Sequence, residues 1–199
     1  ANQKVSWMFG EAAKSSLKEV TVRGNVAIGD NAFDSYVALE KVTLSAATSI
    51  GNRAFYNCIS LRGIDIPDSC TSIGDYAFYS CSLLEDVEFS NNLLSIGNSA
   101  FYDCTSLKKL VFPDSLESIG NSAFLGCTGI ESLNVPFVGQ TATANQKVSW
   151  MFGEAVKSSL KEVTVRGNVA IGESAFDSHV ALEKVNLSAT TSIGNRAFY

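Results

Sequence analysis

Five cysteines and one histidine are the residues of this 199-residue chain whose chemistry could form a reactive or metal-binding site. Four of the cysteines, at positions 58, 81, 104 and 127, recur at intervals of 23 residues. A constant interval stacks them on successive coils, where the Cα separation can fall in the ~4.4–6.8 Å range of a disulfide. Parallel side chains make the required S–S torsion unfavourable, and the odd total argues against an obligatory disulfide framework. We therefore expect buried thiols that pack as small apolar groups.

The remaining cysteine and the histidine also occupy interior positions of the pattern. His179 takes the place that cysteine has in four other segments and that Tyr36 has in another, which favours a packing role over a catalytic one. Cys70 takes the place of Leu93 and Leu116. The sequence contains no C-x-x-C pair, P-loop, zinc-protease motif or nucleophile elbow. It thus predicts no enzyme, no metal site and no cofactor.

A repeat of 22–23 residues dominates the chain. Ile-Gly pairs begin at residues 28, 50, 73, 96, 119, 171 and 193, and an Ala-Phe pair follows each at a fixed distance, with phenylalanine at 33, 55, 78, 101, 124, 176 and 198. An alternating segment such as Leu107–Phe112 precedes each Ile-Gly, and alternation of this kind is typical of a short strand. Stacking buries the apolar face of each coil, which a single coil would leave exposed to water. The repeat predicts a curved α/β solenoid with one short parallel strand and one short helical or 3-10 turn per coil, and a ladder of stacked phenylalanine rings in its core.

A longer duplication overlies the repeat. Residues 1–56 reappear as 144–199 with six differences, and an irregular 30-residue coil lies at 130–159. In that coil about five residues around 138–145 are extra, and residues 148–156 are expected to form a short helix that packs Trp150 and Phe152 inward, as Trp7 does in the duplicate. The coil is either a ligand-binding loop or, as we favour, a spacer between blocks. We interpret residues 1–199 as one solenoid within a longer array.

Composition limits the classes of function. The net charge is −5, 46% of residues are hydrophobic and 18% are charged. These values exclude a disordered chain, a coiled coil and a basic nucleic-acid-binding protein, and no apolar run approaches the ~20 residues of a membrane span.

The segment Ile66–Cys81, with its I-P-D-S-C-T-S-I-G-D-Y-A-F-Y-S-C pattern, resembles the BspA-type, or Treponema pallidum class, leucine-rich repeat. The resemblance covers nearly the whole chain. It implies a leucine-rich repeat array in a secreted or surface-exposed protein of a bacterium or, as the second choice, of a protozoan parasite, with adhesion to host matrix proteins, cell-surface proteins or glycans as the expected activity. No nucleic-acid partner is expected.

The strand residues that point away from the core form the candidate ligand face. Its members are Lys41, Thr43, Asp65, Asp86, Glu88, Lys109, Asn134, Glu162, Thr164, Arg166 and Lys184, with Ser90 also placed outward. The face has an acidic centre at Asp65, Asp86 and Glu88, and it lacks the aromatic anchors common at tight interfaces. These residues either bind a partner weakly and repeatedly or only keep the sheet soluble.

Three functions remain open from the sequence. The first is a binding module of an adhesin. The second is a structural spacer, which the near-identical blocks favour because a spacer needs length rather than a differentiated surface. The third is an accessory array beside an enzyme domain outside this chain. Apolar coils at the ends of the array also make end-to-end self-association plausible.

Overall fold

Two ladders of short parallel strands enclose one apolar core in the computed structural model, which describes residues 11–141 and 147–199. In chain order the strands are β1 (Glu19–Val22), β2 (Val26–Ile28), β3 (Lys41–Leu44), β4 (Ala47–Ile50), β5 (Gly63–Asp65), β6 (Ser72–Ile73), β7 (Asp86–Glu88), β8 (Ser95–Ile96), β9 (Lys109–Val111), β10 (Ser118–Ile119), β11 (Ser132–Val135), β12 (Glu162–Val165), β13 (Ala170–Ile171), β14 (Lys184–Leu187) and β15 (Ser192–Ile193). One α-helical turn, α1 (Ser149–Phe152), and 3-10 segments at Glu11–Ser15 and Ala155–Ser158 are the helical elements of the described residues. The predicted solenoid of 22–23-residue coils is confirmed.

The first ladder contains the strands that the sequence predicted. It consists of the parallel sheets β1-β3-β5-β7 and β9-β11-β12-β14. Equivalent residues of successive coils are in register, as Val42 is with Val20 and Val163 with Leu133. Along β3 exposed and buried residues alternate, because successive side chains of a strand point to opposite faces.

The second ladder is a difference from the sequence-based expectation of one strand per coil. Strands β2, β4, β6, β8 and β10 form one parallel sheet, and β13 pairs with β15 in another. Most of them are the two-residue Ser-Ile step that precedes glycine, too short to show an alternation in the sequence. The Ala-Phe segment of the regular coils forms hydrogen-bonded turns rather than a helix.

The predicted phenylalanine ladder is confirmed as the centre of the core. Rings 33, 55, 78, 101 and 124 are buried and stack in order at centroid distances of 5.2, 5.2, 4.9 and 5.0 Å, with planes within 10°. This spacing is close to the ~4.8 Å separation of hydrogen-bonded strands, so the coil repeat sets the ring repeat.

The glycine of each Ile-Gly pair allows coils to approach closely. A Cβ on Gly97 would lie 2.5 Å from the backbone nitrogen of Asp75 and 2.6 Å from the carbonyl carbon of Gly74. The residue after each glycine links the coils further, since the Asn98 Oδ1 accepts a 2.8 Å hydrogen bond from the Asn121 N–H and the Asp75 Oδ1 accepts one of 2.6 Å from the Asn98 N–H.

The irregular coil stays within the stack. Phe152 continues the ring ladder at 5.5 Å from Phe124, and backbone hydrogen bonds join Phe124 to Met151 and Val148 to Ala175. Met151 and Phe152 are fully buried, and Trp150 packs against the core as predicted but remains half-buried. Because α1 is a single turn, only some of its side chains can face the core at once. The duplicate Trp7, and residues 142–145 of the extra segment, lie outside the described residues.

Candidate functional site

The outward surface of the first ladder, which we call the strand face, forms a shallow concavity of about 1140 Å³ across β3, β5, β7 and β9. Seven of the predicted face residues line it together: Lys41, Thr43, Asp65, Asp86, Glu88, Lys109 and Arg166. The first six are exposed. The sequence therefore places these side chains on one continuous surface.

The C-terminal part of the predicted face is more closed than the sequence indicates. Asn134, Glu162, Thr164 and Arg166 are half-buried, and Lys184 is exposed. The Arg166 guanidinium reaches back to an earlier coil, where it donates to the Phe112 carbonyl oxygen and pairs with the Asp114 carboxylate at 3.0 Å. Through these contacts Arg166 connects its own coil to the earlier one.

Polar contacts also join the last strands of the ladder. Lys184 pairs with Glu162 at 2.7 Å and holds the pKa of that carboxyl below its ordinary value. The Asn186 amide donates to the Thr164 hydroxyl at 3.2 Å. Much of the hydrogen-bonding capacity of β12 and β14 is used within the chain.

Ser90, expected to point outward, is buried. Its hydroxyl accepts a 3.0 Å hydrogen bond from the Asn92 N–H and so closes a local turn. The coil has Ser-Asn-Asn where two others have Pro-Asp-Ser, and this polar turn draws the serine inward.

A row of alternating charges borders the strand face. Successive coils contribute lysine or arginine, then glutamate, at residues 18, 40, 62, 85, 108, 131, 161 and 183. Three neighbouring pairs are ion pairs: Lys18–Glu40 at 3.0 Å, Arg62–Glu85 at 3.5 Å and Lys161–Glu131 at 2.8 Å. Lys161 lowers the pKa of Glu131 through their hydrogen bond. This border compensates its own charge.

The acidic centre of the strand face, unlike this border, does not compensate its own charge. Asp65 and Glu88 lie directly opposite each other in the register of β5 and β7, and Asp86 lies opposite Gly63, which has no side chain. None of the three carboxylates has an ion-pair partner within 4.0 Å among the described residues, unlike those of the border row. Like charges directly opposite each other in a sheet are destabilising. Val111, exposed by 40%, adds an apolar edge to this acidic centre.

The four stacked cysteines are buried free thiols, as predicted. Each donates to the carbonyl oxygen of a core phenylalanine one coil back, as Cys81 does to Phe55 at 3.2 Å and Cys104 to Phe78 at 3.1 Å. Burial raises the pKa of Cys58 to about 12 and that of Cys81 well above its ordinary value. Thiols held neutral in this way are poor nucleophiles.

His179 packs in the same column, as predicted. Its ring is buried, 5.8 Å from the Phe176 ring in an edge-on arrangement, and its Nδ1 lies 3.1 Å from the Asp177 carbonyl oxygen. Tyr36 repeats this arrangement against Phe33 at 5.7 Å. Burial lowers the pKa of His179.

A row of tyrosines outside the strand face was not predicted from the sequence. Tyr56, Tyr79 and Tyr102 follow the core phenylalanine in three consecutive coils, and their rings stack at 4.9 and 4.7 Å. The signal was present as A-F-Y in these three coils and again at residues 197–199, whereas aspartate or leucine takes the position in the coils of Phe33, Phe124 and Phe176. Aligning the residues after each core phenylalanine would have revealed it.

Within residues 11–141 and 147–199, histidine, cysteine and acidic side chains form no cluster of three that could hold a metal ion. None of the helices described is long and apolar enough to cross a bilayer.

A family model for the BspA type leucine rich repeat region matches six copies, over residues 26–148 and 140–199. No curated protein matches the chain.

Several solved structures share the fold. A leucine-rich repeat protein of Bacteroides ovatus is 31% identical over 92% of this chain, with a TM-score of 0.68, and the chain spans 46% of its length. The Treponema pallidum leucine-rich repeat protein is 24% identical over 91% of this chain and 74% of its own, with a TM-score of 0.62. A leucine rich cell surface protein of Faecalibacterium prausnitzii is 21% identical over 87% of this chain and 60% of its own, with a TM-score of 0.53.

Proposed function

We propose, from the premise that this chain belongs to the BspA-type leucine-rich repeat family, that it is a binding module whose strand face takes a protein partner with a basic surface. Members of this family are repeat proteins, and repeat arrays bind through extended surfaces of this kind. The partner contacts the central strands β3, β5, β7 and β9.

The uncompensated acidic centre carries the proposal. Along the border row, neighbouring coils alternate in charge, so the fold has a simple way to neutralise adjacent side chains. At Asp65 and Glu88 the chain instead keeps two carboxylates opposite each other. A basic partner would relieve this repulsion, and complementary charge favours encounter and selects against acidic partners.

We extend the proposal to a cell-surface location and an adhesive role. The Faecalibacterium prausnitzii protein that shares this fold is a cell surface protein. Shallow, polar surfaces give weak individual contacts, which repeated blocks convert into avidity. The near-identity of residues 1–56 and 144–199 suits such multivalent binding.

A spacer is the second candidate function. It is favoured by the same duplication and by the internal ion pairs and hydrogen bonds that use much of the polar surface of β12 and β14. A spacer requires no ligand on the strand face.

A solid-phase binding screen against host matrix proteins, mucins and glycans distinguishes the binding module from the spacer. The test variant is Asp86→Lys/Glu88→Lys. The control is Glu117→Lys/Glu173→Lys, which makes the same change in net charge at exposed residues outside the strand face. Circular dichroism establishes that both variants are folded.

Saturable binding of a basic protein that only the strand-face variant loses is the expected result, with an affinity at least about tenfold weaker. Equal loss in both variants would mean a non-specific charge effect. No binding to any probe would favour the spacer.

A further inference from the structure

The row of tyrosines is the largest aromatic feature that lies outside the core. Tyr56, Tyr79 and Tyr102, together with Tyr76, form what we call the tyrosine ladder. The first three are half-buried with ring planes within 10° of each other, and Tyr76 is 42% exposed with its ring centroid 5.9 Å from that of Tyr79. None of the four lines the concavity of the strand face.

Stacking determines what the tyrosine ladder offers to a partner. The faces of the three stacked rings are turned toward one another, so ring edges and phenol hydroxyls point outward. Within residues 11–141 and 147–199, no side chain forms a hydrogen bond with a hydroxyl of these four tyrosines. Burial raises the pKa of Tyr79, and the nearby phenols and Asp103 raise it further. Tyrosine is frequent at protein interfaces because it provides amphipathic area with few rotatable bonds. The stack has already restricted those bonds, which lowers the entropic cost of binding.

The tyrosine ladder is also polar along its length. At one end the Arg53 guanidinium carbon lies 4.0 Å above the centre of the Tyr56 ring. At the other end Asp103 follows Tyr102, two coils further along. Neither Arg53 nor Asp103 has an ion-pair partner within 4.0 Å among the residues that the structure describes. The surface therefore has a positive end, a tyrosine centre and a negative end.

We propose that a second copy of this chain docks on the tyrosine ladder about a twofold axis. A twofold interface pairs the same surface of both copies in opposite directions. Arg53 of one copy then lies beside Asp103 of the other, twice, and the central rungs meet. The two ladders share the same rung spacing of 4.7–4.9 Å, so the contacts stay in register from end to end.

The tyrosine ladder is small, so we expect this dimer to be weak. An interface of four tyrosines and two ion pairs buries less than roughly 1,200 Å², and complexes of that size are transient. We expect monomer at low concentration and dimer as the concentration rises, with partial weakening by salt because the ion pairs are exposed.

Sedimentation velocity from about 10 µM to about 1 mM, the range of weak complexes, tests the proposal. The variants are Arg53→Asp, Asp103→Arg and the double exchange. Each single reversal places like charges together and should weaken dimerisation by about tenfold, and the double exchange should restore it. Tyr76→Ser should also weaken it. Serine at the equivalent positions 99 and 122 has the same positive φ, so this variant should fold normally.

A matched control distinguishes this dimer from end-to-end association. Ile193, 56% exposed on the terminal strand β15, lies far along the chain from the tyrosine ladder, and Ile193→Asp should leave the lateral dimer intact. The proposal is overturned if the chain is monomeric throughout the range. It is equally overturned if Ile193→Asp abolishes association while the Arg53 and Asp103 reversals leave it unchanged, or if the double exchange restores nothing.

Discussion

At the scale of single residues, the column of cysteines shows how one position accepts three side chains. Cys58, Cys81 and their equivalents donate to a phenylalanine carbonyl one coil back. Tyr36 and His179 are larger and instead pack edge-on against the phenylalanine of their own coil. The 23-residue interval was sufficient to predict the column. The acceptor of each thiol was not predictable, because it depends on how the backbone of the neighbouring coil is turned.

His179 should make stability depend on pH. Its pKa is lowered below 6.5 by burial, so protons bind the unfolded chain more readily. The contribution of the neutral His179 to the free energy of unfolding is therefore fully present above about pH 6.5. It is lost as the pH falls through the lower pKa of the folded state. Urea unfolding at pH 7.5 and 5.0 should show a smaller loss for His179→Tyr, which copies Tyr36, than for the parent chain. Lys157 and Glu154 are the charged neighbours in both proteins, so they do not contribute to the difference. Identical pH dependence in the two proteins would contradict the buried position of His179.

The cysteines should be unreactive in the folded chain. All five are buried free thiols, and burial raises the pKa of those at 58, 70, 81 and 104. Mass spectrometry after treatment with iodoacetamide at pH 8 should find no labelled cysteine, and five labelled cysteines after unfolding in guanidinium. Rapid labelling of one thiol under native conditions would contradict the packing of that coil.

At the scale of the coil, two glycines provide a matched pair. Gly97→Ala would push a methyl group against the backbone of the preceding coil, whereas the nearest atom to a Cβ on Gly63 is 3.6 Å away, an ordinary contact. We expect Gly97→Ala to lower the free energy of unfolding by about 2 kcal/mol. Gly63→Ala should raise it by about 0.5 kcal/mol, because alanine restricts the unfolded chain. Urea denaturation measures both, and equal effects would contradict the close approach at Gly97.

The row of asparagine and aspartate after each glycine should stabilise the stack. Asp75→Ala removes the acceptor of the Asn98 N–H and should cost about 1 kcal/mol, the usual net value of a hydrogen bond. Asp75→Asn keeps an acceptor oxygen, as Asn98 does naturally, and serves as the control. Thermal unfolding should rank Asp75→Asn above Asp75→Ala. The reverse order would mean that the side-chain oxygen contributes nothing.

Predictability differed between the elements of each coil. The first ladder and the phenylalanine stack followed from alternation and from a fixed interval, since both reflect burial of one face. The second ladder did not, because a Ser-Ile step is too short to carry a pattern. The sequence left open whether the glycine served close packing or an unusual backbone angle, and that choice is decided by the coil beneath it.

At the scale of the whole molecule, the solenoid brings residues from distant coils onto one surface. The acidic centre at Asp65, Asp86 and Glu88 was predictable because outward positions recur with the coil. The contacts of Arg166 were not predictable, since its partners, the Phe112 carbonyl and Asp114, belong to a coil about 50 residues earlier. The tyrosine ladder was visible in the sequence only when outward positions beyond the strands were also compared.

Protection of carboxylates in a complex tests most directly whether the strand face is the binding surface. Carbodiimide labelling and mass spectrometry would compare the free chain with the chain bound to the basic protein that the screen identifies. Labelling of Asp65, Asp86 and Glu88 should fall at least about tenfold, as for groups removed from solvent in an interface core, while Glu117 and Glu173 react as before. Unchanged labelling of the three central carboxylates in a saturated complex would contradict binding at the strand face and place the partner elsewhere on the solenoid.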